Sequence, residues 1–245
     1  MLFRSTIPNC KSYDPAFAGE LAVIVDAGMR EMLVEQRDVF YYITLMNENY
    51  SHPGLKSGQE EGILKGMYLL QPSNKKSKQR VQLMGSGTIL REVIAAAELL
   101  EQDWGVAADI WSAPSFTLLA RDGQDAERWN MLNPTAKTPR VPFVTQSLES
   151  SQGPIIAATD YMRTYAEQIR AFMPKDRSYK VLGTDGFGRS DTRAKLREFF
   201  EVNRYFVAIA ALNALAESGA VDVDVVAKAI KKYAIDPNKA NPVTL

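Results

Sequence analysis

Val81-Gln82-Leu83-Met84-Gly85-Ser86-Gly87-Thr88 is the stretch on which the reading of this 245-residue chain turns. A short run suited to a buried strand ends in two closely spaced glycines. Thr88 then stands where a helix cap would, ahead of an apolar-periodic stretch reaching about Gln102. A strand that turns directly into a helix is the first half of a parallel crossover. Downstream the alternation continues. Ala107 to Ser112 reads as a second strand, Pro142 to Leu148 and Ile155 to Thr159 as a third and fourth, and Tyr179 to Gly183 as a fifth. Tyr161 to Phe172 reads as helix, as do Arg193 to Phe200, Tyr205 to Glu217 and Val223 to Tyr233, with Asp222 capping the last. Strands separated by helices predict an α/β sheet with right-handed crossovers.

Upstream the pattern differs. Ile7 to Pro15 is rich in turn formers, and Asp14 before Pro15 reads as a helix cap followed by proline at the first helical position. Apolar residues then recur at helical spacing from Ala16 to about Glu35. Val39 to Leu45 is a continuous β-branched and aromatic run, which predicts a strand covered on both faces. Residues 47–78 are punctuated by His52-Pro53-Gly54 and by the basic run Lys75-Lys76-Ser77-Lys78, with a short apolar element over Glu60 to Gln71. The expected division is a first unit over 1–46, a linker over 47–78, and a second unit over 79–245.

Composition narrows the function classes. With 29 basic and 29 acidic side chains, the net charge of zero argues against an electrostatic binder of nucleic acid or of membrane surfaces. One cysteine and one histidine leave no disulfide framework, no Cys-based zinc site and no multi-His metal site. No apolar run approaches the roughly 20 residues that span a bilayer, and Met1 to Ser5 lacks the apolar core of a secretory signal. A cytoplasmic location is the expectation.

Several motifs are candidates for chemistry. Gly85-Ser86-Gly87-Thr88 reads as a tight turn needing small residues, with an anion cradle at the Thr88 amide as the alternative. Gly183-Thr184-Asp185-Gly186-Phe187-Gly188-Arg189-Ser190-Asp191 crowds three glycines, two carboxylates and an arginine directly after a strand, where ligands sit in open α/β sheets. Its structural reading is a turn in which Ser190 and Asp191 cap the next helix. In Arg121 to Asn130 the Asp122-Gly123 step reads as a turn, with Glu127 and Arg128 opening another helix. Paired carboxylates there could do acid–base work only if burial separated their pKa values, so an ion-pair cluster is favoured. His52 has no evident partner beside Pro53, Lys75, Lys76, Lys78 and Arg80 read as an exposed basic connector, and Cys10 has no activating neighbour.

Longer strings carry more. Ile7-Pro8-Asn9-Cys10, Ser12-Tyr13-Asp14-Pro15-Ala16, Asn47-Glu48-Asn49-Tyr50, Arg121-Asp122-Gly123-Gln124-Asp125, Glu127-Arg128-Trp129-Asn130 and above all Leu182 to Asp191 occur in one collinear order from about Thr6 to Pro242. They resemble the homodimeric pyruvate dehydrogenase first component of bacteria. The resemblance implies the end of a middle, pyrimidine-binding domain over 1–46. A transketolase-type C-terminal domain follows over 79–245, a mixed, mostly parallel sheet with flanking helices. It implies a thiamine diphosphate and magnesium enzyme of glycolytic carbon flow. That enzyme decarboxylates pyruvate and acetylates the lipoyl group of an acetyltransferase in a multienzyme complex with dihydrolipoyl dehydrogenase. It implies a second copy of the enzyme as dimer partner.

The family's magnesium motif, activating glutamate and catalytic histidines have no counterpart here. Ser51 also intervenes where the family places a histidine after Asn-Glu-Asn-Tyr, so no catalytic, cofactor-binding or metal residue carries over. Asp185-Gly186 with Asn213 mimics the magnesium motif, but Thr184 replaces its first glycine and Asn213 lies within an apolar helix. The implied role is to complete the dimer and wall the active-site channel, with Asp185, Arg189, Asp191, Asp122 and Arg128 as candidate lining. The chain alone is expected to be an inactive C-terminal piece that binds no cofactor, with an apolar patch around the first helix and strand. Alternatives are the C-terminal domain of a transketolase or of another 2-oxo-acid dehydrogenase, and a non-catalytic assembly module.

Overall fold

A computed structural model describes residues 6–245. Its heart is a five-stranded sheet in the order β3-β5-β4-β6-β7. The strands are β3 (Tyr68–Gln71), β4 (Arg80–Gly85), β5 (Ala107–Ser112), β6 (Ile155–Ala158) and β7 (Tyr179–Leu182). β4, β5, β6 and β7 are parallel, and β3 runs antiparallel on the edge against β5.

Strand alternation explains the two cores. Val81, Leu83, Ile156 and Ala158 face α3 (Ile89–Asp103), α8 (Arg204–Glu217) and α9 (Val223–Lys232). Met84, Ile155 and Ala157 face the opposite core, built with α4 (Phe116–Leu132), α5 (Phe143–Glu149) and α6 (Arg163–Glu167). With both faces covered, the strands read as nearly continuous apolar runs. α7 (Arg193–Phe199) precedes α8. Together they form the apolar stretch Arg193–Glu217, long enough to cross a bilayer by length and composition. The chain breaks between them at Glu201, whose φ is 60°, and α8 packs Val207, Ala208, Ala211 and Leu212 into the core.

The first unit is smaller. β1 (Cys10–Tyr13) and β2 (Phe40–Ile43) form a two-stranded parallel sheet joined by α1 (Ala18–Met29) and a π-helical turn, Arg30–Val34. A two-stranded sheet is marginal by itself. It is held by a third cluster of Tyr13, Ile24, Ile63 and Tyr68, which joins β1 and α1 to α2 (Glu60–Lys65) and β3.

The structure revises several local expectations. Residues 47–78 are not all linker, because they supply α2 and β3 and so build part of the larger sheet. Asp14 does not cap a helix. It lies just past β1, and α1 is opened instead by Phe17, with the Glu20 carboxylate accepting from the amides of Ala16 and Phe17 at 2.6 and 3.1 Å. Residues 142–148 form α5 rather than a strand. Asp122 accepts from the Phe143 amide, and Val144 and Leu148, four apart, share the buried face. Gly123 does not break its segment, since α4 runs through it. A Cβ there would lie 2.4 Å from the Phe172 ring, so glycine is required by the close helix approach and not by a turn.

β2 was expected to be covered on both faces. Phe40 is 43% exposed and Tyr41 to Ile43 are half-buried, because one helix and one strand cover only one side. An exposed apolar patch follows, and eight exposed large hydrophobics fall between Val25 and Met46.

Candidate functional site

The strand order reverses between β4 and β6: the chain leaves β4 to one side for β5 and returns on the other side as β6. The carboxyl ends of such a pair open a crevice. Here the Ser86 and Thr159 hydroxyls bridge its floor at 3.0 Å. The first unit is seated on this crevice through Asp14. The Asp14 amide donates to the Pro114 carbonyl at 2.7 Å, its carbonyl accepts from the Gly87 amide at 2.9 Å, and Ser115 Oγ donates to the Ser12 carbonyl at 2.7 Å. The anion-cradle reading of Gly85 to Thr88 is thereby answered from inside. The Asp14 carboxylate occupies the space beside Gly87, and Thr88 holds the N-cap position of α3 without a side-chain cap bond.

Beside it lies a cluster of opposite character. Glu48 receives Arg91 at 2.7 Å, Arg197 at 2.8 Å and Arg193 at 3.8 Å. Glu92 receives Arg204 at 3.0 Å and Arg197 at 3.4 Å, so Arg197 bridges the two carboxylates. Burial pushes both glutamates up, but the hydrogen bonds and charges of their arginines outweigh it and hold them below the usual carboxylate range. The 47–52 segment is thereby pinned to α3 and α7. Arg91 stacks over Tyr50 with 4.4 Å to the ring centroid, and Tyr50 stacks on His52 at 4.7 Å. His52 is not partnerless, since its Nδ1 accepts from the Ala18 amide at 3.0 Å.

The five lining candidates are not brought together. Asp185, Arg189 and Asp191 follow β7 on the carboxyl edge. Asp185 is bound to Arg163 at 2.8 Å and lines a cavity of about 300 Å³ with Lys239 and Asn241. Arg189 lies over the Phe199 ring at 5.3 Å, and Asp191 accepts from the Thr192 amide at 2.6 Å, while Thr192 itself caps α7. Asp122 and Arg128 sit in the seventh and thirteenth positions of α4, about 9 and 18 Å along its axis from its first residue. Asp122 anchors α5, and Arg128 is exposed. Their neighbour Arg121 does structural work the sequence did not announce, donating to the Ile7, Pro8 and Cys10 carbonyls.

Other expectations shift as well. Arg80 is not an exposed connector, because it pairs with Asp109 at 2.6 Å inside a network with Gln82 and Trp111. Cys10 is buried. Sequence reading missed Glu48, Glu92, Arg197, Asp160 and the true place of Asp14. The carboxyl-edge rule applied to the loop after β6 could have pointed to Asp160, whereas Asp14 lies just past β1 and only the docked partner sheet reveals its place.

The residues present do not fit a magnesium ion. Asp185 and Asn213 do line one groove, but Arg163, Arg170 and Lys180 line it too, and Asn213 donates to Glu217 within its own helix at 2.9 Å. Among the described residues, no three His, Cys, Asp or Glu side chains converge to hold a metal.

A mixed, mostly parallel sheet with its polar groups gathered along the carboxyl edge, and a second small sheet docked there, defines an α/β enzyme domain of the transketolase kind. The chain belongs to the transketolase-like TK C-terminal domain family, matched over residues 66–203. Residues 1–53 match the pyruvate dehydrogenase E1 component middle domain. The chain is 60% identical over 245 residues to the pyruvate dehydrogenase E1 component of Cupriavidus necator and 59% identical over 242 residues to that of Pseudomonas aeruginosa. It is 55% identical over 238 residues to that of Escherichia coli. These matches cover 97–100% of this chain but only 26–27% of each relative, so the chain spans about a quarter of their length. Among solved structures, transketolase from Pichia stipitis aligns with a TM-score of 0.58 at 20% identity, over 90% of this chain and 27% of that one. Transketolase from Campylobacter jejuni aligns at 0.57 and 18%, over 86% and 27%. These likenesses give the fold.

Proposed function

We propose that this chain supplies the end of the middle domain and the C-terminal domain of a thiamine diphosphate-dependent pyruvate dehydrogenase first component. In that reading residues 1–46 belong to the pyrimidine-binding domain and 79–245, with β3 added to their sheet, to the transketolase-type domain. The whole enzyme decarboxylates pyruvate and passes the two-carbon unit to a lipoyl group on an acetyltransferase, within a complex that includes dihydrolipoyl dehydrogenase. The observation that carries this reading is collinearity: 60% identity to a pyruvate dehydrogenase E1 component runs through the whole chain, joining segments that fold into two separate sheets.

The role of these residues is to bind and position. The carboxyl-edge loop at Asp185, Arg189 and Asp191 walls a channel, with Asp122 set back on α4 as an anchor of α5 and Arg128 exposed further along the same helix. The apolar surface between Val25 and Met46 is where further middle-domain sheet packs, and the enzyme works as a homodimer in the cytoplasm. Thiamine diphosphate and magnesium are held by groups outside this chain.

The test is a domain exchange. This chain replaces the matching quarter of the Cupriavidus necator enzyme, and pyruvate decarboxylation is measured beside that of the chain alone. The chimera is expected to turn over pyruvate, and the chain alone to do neither that nor bind thiamine diphosphate by calorimetric titration. A folded, cofactor-binding chimera without turnover, or micromolar cofactor binding by the chain alone, overturns the reading.

A further inference from the structure

The crevice holds a chamber that the proposed function leaves unused. A cavity of about 240 Å³ is lined by Asp14, Thr44, Gly87, Thr88, Asp160 and Tyr161, with three apolar residues, and by no lysine, arginine or histidine. Asp14 is 7% exposed. Its Oδ1 accepts from Thr44 Oγ1 at 2.8 Å, but its Oδ2 and the Thr88 hydroxyl are buried without a hydrogen-bond partner. Gly87, at φ 50°, makes room for this carboxylate, since a Cβ there would lie 2.5 Å from Oδ2. Unpartnered buried oxygens mark a place that wants a ligand.

The surrounding charges sharpen this. Burial pushes Asp14 up to about 6. The hydroxyls of Thr44 and Ser86 oppose the rise, and the like charges of Asp160 and Glu20 add to it. Tyr50, Tyr161 and Tyr165 feel the Asp14 charge in turn. Asp160 is also raised by burial, but Arg197 opposes it while Glu48 adds. Arg197 therefore acts on Asp160, while the groups named as acting on Asp14 are hydroxyls and like charges.

A buried carboxylate in that position either takes a proton or pairs with a cation. Near neutral pH a group titrating at about 6 has largely lost its proton, which leaves the cation. The donors are all oxygens, which suits a hard ion. Of the two carboxylates lining the chamber, Asp160 already feels Arg197, so Asp14 leaves about one negative charge to balance, which matches a monovalent ion.

We propose that the chamber between the Asp14 carboxylate and the Thr88 hydroxyl binds a monovalent alkali cation, which fastens the small sheet to the larger one. Proton and cation compete for Asp14, so binding strengthens above about pH 6 and fades below about pH 5.

Thermal unfolding of the full chain in KCl, NaCl and choline chloride at matched ionic strength tests this. At about pH 7.5 one alkali chloride is expected to raise the Tm above that in choline by about 2–4 °C, and the gap closes at about pH 5. Asp14→Asn removes the gap and Thr88→Val narrows it. Equal Tm values in all three salts at the higher pH overturn the proposal, as does a gap that survives Asp14→Asn. A larger rise with MgCl₂ than with either alkali chloride at matched ionic strength overturns the monovalent assignment. Should Asp14→Asn fail to fold, crystals of the unaltered chain grown with rubidium provide the second measurement. An anomalous peak within reach of Asp14 Oδ2 is expected, and its absence overturns the proposal.

Discussion

Glu48 and Glu92 share one junction with Asp14 and Asp160, yet the two pairs of carboxylates titrate in opposite directions. All four are buried or half-buried, so burial raises every one of them. The glutamates end below the ordinary range because Arg91, Arg197 and Arg204 bond them directly, while the aspartates end above it because hydroxyls face Asp14 and Arg197 reaches Asp160 only through space. The consequences for stability also oppose. A group whose folded pKa is lowered stabilises the fold at pH above its unfolded value and loses that contribution as pH falls through the folded one. Asp14, raised to about 6, favours the fold in its protonated form, fully below about pH 4, and loses that contribution as pH rises through 6. The difference teaches that a shared arginine, more than depth, decides what a carboxylate does at this seam.

The comparison breaks most visibly at Glu92. Glu92→Gln removes the charge that Arg204 and Arg197 share, and bonds to charged groups contribute about 1.5–3 kcal/mol each. Since Arg204 is 44% exposed and Arg197 keeps Glu48, the loss is expected at about 3 kcal/mol. Urea unfolding at neutral pH is expected to show that loss, and a variant as stable as the parent would show the cluster to be solvated. Asp14→Asn should act in the opposite sense. In choline chloride, where no small cation is present, the parent chain loses about 2–3 kcal/mol between about pH 4 and pH 7 through this one group, and the variant is flat over that window. A variant with the parental slope would mean the titration lies elsewhere.

Much of this architecture was legible. The strands 81–84, 107–112, 155–159 and 179–183 were readable because both-face burial gives unbroken apolar runs, and the last three helices because their periodicity and the Asp222 cap agree. What failed was local chemistry answered from far away in sequence. Gly123 signals a turn until Phe172 is seen against it, and Pro142 to Leu148 looks like a strand until Asp122 is seen at the Phe143 amide. The candidate site was half legible. Asp185 lies on the carboxyl edge as its place after a strand implies, whereas Asp122 and Arg128, grouped with it as charge on a glycine turn at a sheet edge, lie down a helix. Asp14 was misread because a cap and a seam residue look alike before the partner sheet is known.

Glu48 sharpens the comparison at smaller scale. Glu48→Gln keeps hydrogen-bond capacity but removes the charge shared by Arg91, Arg193 and Arg197, and a bond to a charged group contributes about 1.5–3 kcal/mol. The retained amide should hold the observed loss near the lower end, confined to pH above the glutamate range and erased below it. Because Glu48 also adds to the rise of Asp160, the same variant should lower the Asp160 pKa, read by NMR titration of its carboxyl carbon.

The smallest effect belongs to Asp185, a lining candidate on the loop after β7. Asp185→Asn breaks an ion pair whose Arg163 side chain is 51% exposed, and such surface pairs contribute under about 1 kcal/mol. Its unfolding midpoint should barely move and its stability should be insensitive to salt. If it instead proved as costly as Glu92→Gln, the carboxyl-edge loop would belong with the arginine-clamped seam, and its place as a channel wall would be lost. Thus a nearly silent Asp185→Asn in stability, paired with altered pyruvate turnover in the exchanged enzyme, is what separates a residue that walls a channel from one that holds the fold.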